Sequence, residues 1–408
     1  MAETAAEPLI ETPEALAELG AHLREVGRFA FDTEFVSEET FEPVLCLIQV
    51  ATADRLVVVD SLAVRDLHPF WDAVLDPDVE VVMHAAGEDL RIARFQTGRV
   101  PCRVFDVQVV AGLVGHGYPL SLGNLVHQTL GIALPGGETR TDWRRRPLSP
   151  AQLRYALDDV RHLLELADQL RGRLAALGRS AWAEAELGEF LAAIRDRSEE
   201  DRWRRLPGLH HLNRRGLEVA RRLSEWRVED ARRANRPLRQ VLRDDLLVAI
   251  AKRQSATRRD LEALRDFNRP YLLGKAGEII ALIAEAQLVP VDALPAPAER
   301  HDEGPGLSMV VSLLAAGLNH CCARHQVAPG LVGTTSDLKE LIRWHAEGLS
   351  DSRRPALATG WREEVCGKTL LDVLSGRRAL RVVDAMAEVP VALDPVDGEE
   401  AAAGPAIL

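Results

Sequence analysis

Cysteine is scarce in this chain and follows no pattern. Its five residues, Cys46, Cys102, Cys321, Cys322 and Cys366, are odd in number, scattered and mostly set among apolar neighbours. That excludes a disulfide framework and reads as buried, reduced thiols. His320-Cys321-Cys322 with His325 supplies metal-binding residue types, but the CxxC pairing of structural zinc sites is missing. A helix would also turn adjacent cysteines apart, so the zinc reading is set aside. No run of about eighteen apolar residues exists, so no membrane span is expected. The first residues, MAETAAEPLIETPEAL, lack the basic start and apolar stretch of a secretory signal. The expectation is a cytoplasmic protein without a membrane partner.

What is present suits a soluble multidomain chain. Its 408 residues are 47% hydrophobic and 27% charged, enough for two or three domains and a sizeable core. A formal net charge of −12 argues against attraction of the whole chain to nucleic acid. The average hides an asymmetry. Residues 201–280 hold 20 Lys+Arg against 11 Asp+Glu, which leaves the remainder at −21. One basic module in an acidic chain fits a local nucleic-acid contact; a solvated arginine-rich helical surface is the alternative.

The first two hundred residues read as α/β. Short Val/Ile/Phe-rich runs at 28–35, 45–52, 55–60 and 80–85 have strand length. The gaps between the first three cannot hold crossover helices, so an antiparallel meander is expected. Helices are expected over 87–95, 106–114, 121–130 and, as one long element, about 149–177, where Ser149-Pro150 supplies an N-cap and a proline at the first helical position. From about 206 to 287 the pattern is helical, with Leu217, Ala220, Leu223 and Trp226 at helical spacing. A Pro-rich acidic stretch at 290–306 reads as a linker, 307–386 as a second helical block, and 387–408 as a disordered tail.

Phe31-Asp32-Thr33-Glu34-Phe35 is the sharpest local feature. Residues i and i+2 of a strand share a face, so Asp32 and Glu34 would project together. Adjacent carboxylates repel and resist desolvation, which a bound cation would relieve; a solvent-facing edge strand is the bland alternative. Asp89 follows the strand at 80–85, at a helix start where it could be only a cap. Tyr155, one of three tyrosines, and Asp159 stand at i and i+4 on one helix face.

Taken together, D-x-E, D and Y-xxx-D in this order resemble the DEDD class of metal-dependent 3′→5′ exonucleases, in its tyrosine subtype. A histidine subtype would carry His five residues before the last Asp, where this chain has Arg154. The flanking blocks FDTEFVSEETFEPVLCLIQVA, HAAGEDLRIA, VFDVQVVAGLVGHGYPLSLGNLV and ETRTDWRRRPLSPAQLRYALDDVRHLLEL narrow the resemblance to the ribonuclease D family over about 29–166. One departure stands before ETRTDW. Pro135-Gly136 occupies the place of an expected Asp-Lys pair, which puts a cationic RNA contact in doubt.

The resemblance implies a ribonuclease H-like exonuclease domain, a mixed central sheet flanked by helices, over residues 1–200. It also implies two Mg²⁺ or Mn²⁺ ions. Asp32 would bridge both, Glu34 and Asp159 would hold the ion that activates water, and Asp89 would support the second. Tyr155 would orient the attacking water, and the product would be a nucleoside 5′-monophosphate. The stretch LSEWRVEDARRANRPLRQVLRDDLLVAIAKRQSATRRDLEAL resembles the HRDC module, taken as 207–289; 307–386, with GWREEVCGKTLLDVL, resembles a second, more divergent HRDC-like domain. The family implies RNA as substrate, tRNA precursors in particular, and a monomer. Two rivals stay open: a DNA 3′→5′ exonuclease in repair, and a non-catalytic nucleic-acid scaffold.

Near neighbours are assigned other roles. Asp158 lies one helical step off the Tyr155/Asp159 face and is expected in solvent, Glu88 is expected not to be a ligand, Asp106 is read as an N-cap and His84 as structural. Phe35 and Phe41 could stack on bases, with core as the preferred reading. Arg144, Arg145 and Arg146 could touch phosphates, with a solvated charge run preferred.

Overall fold

The computed structural model describes residues 9–135, 141–196, 200–254, 257–297, 304–350 and 354–396. Gly136 and the ETR of the ETRTDW block therefore lie outside the described residues.

Strands β1 (Arg28–Val36), β2 (Val44–Ala51), β3 (Leu56–Asp60), β4 (Glu80–Met83) and β5 (Val104–Asp106) form one sheet in the order β3-β2-β1-β4-β5. The first three make the expected antiparallel meander, whereas β4 and β5 run parallel to β1. Alternation along β1 sorts the two layers. Phe29 and Phe31 enter one core cluster, and Ala30 enters the other, on the face that Asp32 and Glu34 share.

The Phe face is covered by α1 (Pro13–Val26) and α2 (His68–Val74), both absent from the sequence reading, and by α3 (Gly87–Thr97). Helix α1 is locally well specified. Thr12 caps its start by accepting from Ala15 N at 3.3 Å, Pro13 opens it, and Gly27 ends it at φ 67. Leu16, Leu19 and Leu23 form its buried stripe.

The opposite face is covered by α4 (Val107–Leu113), α5 (Leu122–Leu130), α6 (Pro150–Arg161) and α7 (Leu163–Ala176), with α8 (Ser180–Arg195) bridging both layers. The single helix expected over 149–177 is two. His162, at φ −106 and ψ 1, leaves the helical range and separates α6 from α7. No Gly or Pro marks the break in the sequence.

The basic module comprises α9 (Arg214–Ala234), α10 (Leu238–Val241), α11 (Asp244–Arg253), α12 (Arg258–Glu262) and α13 (Pro270–Leu288) around its own core, which includes Leu223, Leu247, Phe267 and Ile279. The stretch read as linker starts as packed chain: Leu294 is buried, and Arg214 donates to the carbonyl of Leu294 at 2.6 Å.

The C-terminal block contains α14 (Leu307–His325), α15 (Pro329–Val332), α16 (Thr335–Ala346), α17 (Gly360–Arg362), a π turn at Glu363–Gly367 and α18 (Lys368–Leu374). Helix α14 has the length and apolarity of a membrane span, yet Val311, Leu314, Leu318 and Cys322 on it join the core of the sheet domain. Arg179 fastens the two, donating to the carbonyls of Leu113 at 2.7 Å and Gln326 at 3.3 Å. Gly112 accepts from Ala328 N at 2.8 Å, and a side chain there would press on Tyr118 and Leu331. The expected disordered tail needs correction. Residues Val391–Pro395 form β7, paired antiparallel with β6 (Arg378–Val382), because Val391 and Leu393 alternate as a strand requires. Residues 397–408 lie outside the described residues.

Candidate active site

The parallel register of β1 with β4 stops at Ala30 and Val82, and the chain then turns from β4 into α3. This opens a crevice beyond the carboxyl ends of two parallel strands, where open α/β sheets commonly place their sites. Asp32 and Glu34 are half-buried at its floor, and a bulge after Glu34 ends the regular pairing with β2. Asp89, only 5% exposed, comes from the first turn of α3. Helix α6 lies against β1, β2 and β3 and brings Tyr155 and Asp159 from above. Its start is fixed by a capping box, Ser149 with Gln152.

These five side chains act on one another electrostatically. Burial holds the Asp32 carboxyl well above the usual carboxylate range, and Asp89, Asp159 and Glu34 add repulsion. Glu34 is pushed up to about 8 by burial, then by Asp159 and Asp89. Asp159 rises to about 7 through burial and Asp158, against a lowering bond from Tyr155. Asp89 rises to about 6 through burial, moderated by a hydrogen bond from Thr33. The Tyr155 phenol is pushed up by burial and by Asp159, Glu34 and Asp32, so it keeps its proton and stays a donor.

Four acidic groups with no cation among them fit a hard divalent ion, which prefers oxygen ligands and would reverse every one of these shifts. Among the described residues, no three His, Cys, Asp or Glu side chains are already gathered into a ligand cage. His320-Cys321-Cys322-His325 forms no such cage either: both thiols are buried in the apolar core, and burial pushes their pKa values up.

The neighbouring residues sort as follows. Asp106 is the N-cap of α4, accepting from Gln108 N at 2.9 Å, and it also accepts from Ala85 N at 3.1 Å and Ala86 N at 2.9 Å. His84 meets the Leu120 carbonyl at 2.9 Å, a structural contact. Glu88 is exposed and paired with Arg91. Asp158, expected in solvent, is half-buried and bonded to Arg161 at 2.9 Å, one turn along α6. Phe35 packs against the sheet-domain core and Phe41 against the basic module. The expected solvated run at 144–146 holds for Arg145 alone. Arg146 is tied to Asp60 at 2.7 Å and Arg144 to Glu39 at 2.6 Å. Sequence reasoning passed over Thr33, read only as a spacer, and the second pair of bonds at Asp106.

The loop leaving β1 meets the basic module. Asn235, the left-handed C-cap of α9, accepts from Phe41 N at 3.1 Å and Glu42 N at 3.3 Å. The Arg232 guanidinium lies 5.5 Å from the Phe41 ring centroid, and Arg236 lies 5.7 Å from that of Tyr271.

A sheet domain that sets four interacting carboxylates beside a phenol, followed by a basic helical module, has the make-up of a 3′-5′ exonuclease with an HRDC domain. The family model for the 3′-5′ exonuclease domain matches residues 8–175, and that for the HRDC domain matches 216–283. Ribonuclease D of Gluconacetobacter diazotrophicus is 37% identical over 92% of this chain and 94% of its own. That of Escherichia coli is 29% identical over 90% and 98%. The chain belongs to the ribonuclease D family. The crystal structure of E. coli RNase D, described as an exoribonuclease involved in structured RNA processing, gives a TM-score of 0.79 at 28% identity, over 90% of this chain and 98% of that one. The catalytic core of RRP6 from Trypanosoma brucei shares the fold, at TM-score 0.54 and 22% identity over 70% and 81%.

Proposed function

We propose that this protein is a 3′→5′ exoribonuclease of RNA processing that hydrolyses one terminal phosphodiester at a time, releasing nucleoside 5′-monophosphates. The observation that carries the reading is the placement of Asp32 and Glu34 on one face of β1, with Asp89 at the start of α3 and Tyr155 and Asp159 on α6 packed against that strand, in a domain that matches the 3′-5′ exonuclease family. Asp32, Glu34, Asp89 and Asp159 would hold two Mg²⁺ or Mn²⁺ ions, which supply positive charge to the attacking and leaving oxygens of an in-line displacement. The chain's own part is positional. Asp32 and Glu34 offer carboxylates from one face of a strand whose backbone is held there by pairing with β2, which limits the reorganisation that accompanies reaction. Tyr155, protonated and bonded to Asp159, keeps a donor for orienting the attacking water. That water's oxygen forms the new bond to phosphorus as the bond to the 3′ oxygen of the penultimate nucleotide breaks.

The HRDC domain supplies phosphate contacts, which the basic surplus of 201–280 supports. Residues 307–386 act as a second, HRDC-like domain. Precursors of tRNA are the proposed substrates, and the enzyme works as a cytoplasmic monomer.

The test is a 5′-labelled single-stranded RNA incubated with Mg²⁺ or Mn²⁺, with and without chelator. A ladder shortening from the 3′ end is expected, abolished by EDTA, by Asp32→Asn and by Asp159→Asn. Tyr155→Phe slows turnover and leaves RNA binding intact. Internal cuts, or degradation that survives chelation, would sink the reading.

A further inference from the structure

Gln49 stands directly across from Asp32 in the antiparallel register of β2 with β1. Opposed residues of such a pair point to the same side of the sheet, with Cβ atoms about 4.5–5.5 Å apart. On its other flank Gln49 is paired with Val58 of β3. Its row neighbours Leu47 and Ala51 belong to the apolar core under α6. The side chain is wholly buried, at 0% exposure, and neither its amide nitrogen nor its oxygen has a hydrogen-bond partner. A buried orphan amide is a rare and unfavourable feature, and an apolar residue of the same size would remove it.

The residue directly across from Gln49 on that face carries an acceptor, the Asp32 carboxylate. The other deeply placed aspartate of the site already has a neutral donor, since the Thr33 hydroxyl donates to Asp89 at 2.5 Å. Among the described residues, the donor to Asp32 is the Thr33 backbone. We infer that Gln49 is a positioning residue for Asp32, its Nε2 donating to that carboxylate when the divalent ions are in place and fixing the orientation in which Asp32 meets them. A side chain that packs among apolar residues without bonds is thereby explained by a bond that the loaded site completes. The competing account is a structural amide satisfied by a trapped water unconnected with the site. The inference rests on the nuclease reading.

Gln49→Met separates the two accounts. If Gln49 positions Asp32, the metal-free variant melts at the wild-type temperature or above, because an orphan has been removed. Its affinity for Mn²⁺, titrated calorimetrically without RNA, falls about tenfold, and kcat falls with KM for RNA unchanged. A structural amide gives the reverse pattern, a lower melting temperature with Mn²⁺ affinity unaltered, and that result overturns the inference. The wild-type protein provides an independent readout should the variant not fold. With glutamine side chains labelled with ¹⁵N, the Gln49 amide resonances are expected to shift on addition of Mg²⁺; a resonance that stays in place also overturns it. Wild type that binds Mn²⁺ and trims RNA while Gln49→Met matches it in both refutes the role of Gln49 alone. Wild type that binds no Mn²⁺ removes the nuclease reading and this inference together.

Discussion

The Thr33 hydroxyl donates to an Asp89 carboxylate oxygen at 2.5 Å, joining the middle of β1 to the first turn of α3. Thr33 is buried between two acidic residues and projects to the face opposite theirs, so all three positions of Asp-Thr-Glu belong to the candidate site. The bond also holds the Asp89 pKa down against burial. Thr33→Val removes it at nearly constant volume. A hydrogen bond to a charged group contributes about 1.5–3 kcal/mol, so single-turnover cleavage should slow roughly ten- to hundredfold. The rising limb of the pH–rate profile should move to higher pH, because Asp89 would protonate more readily. Thr33→Ser keeps the hydroxyl and should retain most of the rate. Equal behaviour of the Val and Ser variants would remove Thr33 from the site.

The raised carboxyls make stability depend on pH with a definite sign. Each binds its proton more tightly in the folded chain than in the unfolded one, where ordinary values near 4 apply. The contribution is therefore fully present below about pH 4 and is lost as pH rises through about 6, 7 and 8, the values for Asp89, Asp159 and Glu34. Scanning fluorimetry of the metal-free protein should show a melting temperature that falls across this window, and Mg²⁺ or Mn²⁺ should restore it, more at pH 8 than at pH 6. The acidity of the whole chain acts in the same direction, so Glu34→Gln is the control and should flatten both trends. An unflattened profile would assign the effect to general charge repulsion.

The fold and site were legible in the sequence where chemistry is local. Asp32 and Glu34 share a strand face, Tyr155 and Asp159 share a helix face, and a period of two or of nearly four suffices to pair them. Asp106 announces itself as a cap by standing before an apolar helical run. The rest depends on contacts between distant elements. Nothing in the spacing says that Thr33 reaches Asp89, 56 positions away, or that Asp106 bonds a turn 20 positions before it. The break at His162 has no residue signal, and the strand at Val391–Pro395 was obscured by an Ala/Gly/Pro-rich surrounding that lowers β propensity. Helix α1 carries legible local signals, the Thr12 cap, Pro13 at its start and the Leu16/Leu19/Leu23 stripe.

Asp106 holds two elements with one carboxylate. Besides capping α4, it takes the backbone N–H groups of Ala85 and Ala86, and Ala85 sits at φ 56, a conformation an alanine adopts only when held there. These residues immediately precede α3 and so set where Asp89 stands. Asp106→Asn leaves one acceptor oxygen where two served, and leaving buried donors unmatched costs about 1–3 kcal/mol. The expected outcome is a lower melting temperature together with a weaker apparent affinity for Mg²⁺ in the cleavage reaction, since Asp89 is displaced. A variant that is destabilised yet unchanged in its Mg²⁺ dependence would limit Asp106 to the role of a cap.

The seam between the β1–β2 loop and the HRDC domain fixes cations at a set place relative to β1, the strand that carries Asp32 and Glu34. Arg233, one position from Arg232, is paired with Glu229, and Arg221 and Arg222 are neutralised by Glu218. Arg232 and Arg236 instead lie over aromatic rings and have no carboxylate partner among the described residues. Among the described residues Lys252, Arg253, Arg259, Arg265 and Arg269 are without carboxylate partners too, but the bonds to the loop that leaves Glu34 come from the α9 end, through Asn235, and from Arg239 just after it, which donates to the Glu38 carbonyl at 3.4 Å. Glu38, Glu39 and Glu42 on that loop oppose anion binding, with Glu39 already taken by Arg144. Replacing Arg232 and Arg236 together by Gln should weaken binding of a long RNA and reduce the slope of log affinity against log salt by about 1.4, at roughly 0.7 per phosphate on a single strand. A dinucleotide too short to reach the seam should be hydrolysed at the wild-type rate. Loss on both substrates would mean that the pair supports the site's structure, and loss on neither would leave these arginines as a solvated helix end whose charges serve only the dipole of α9.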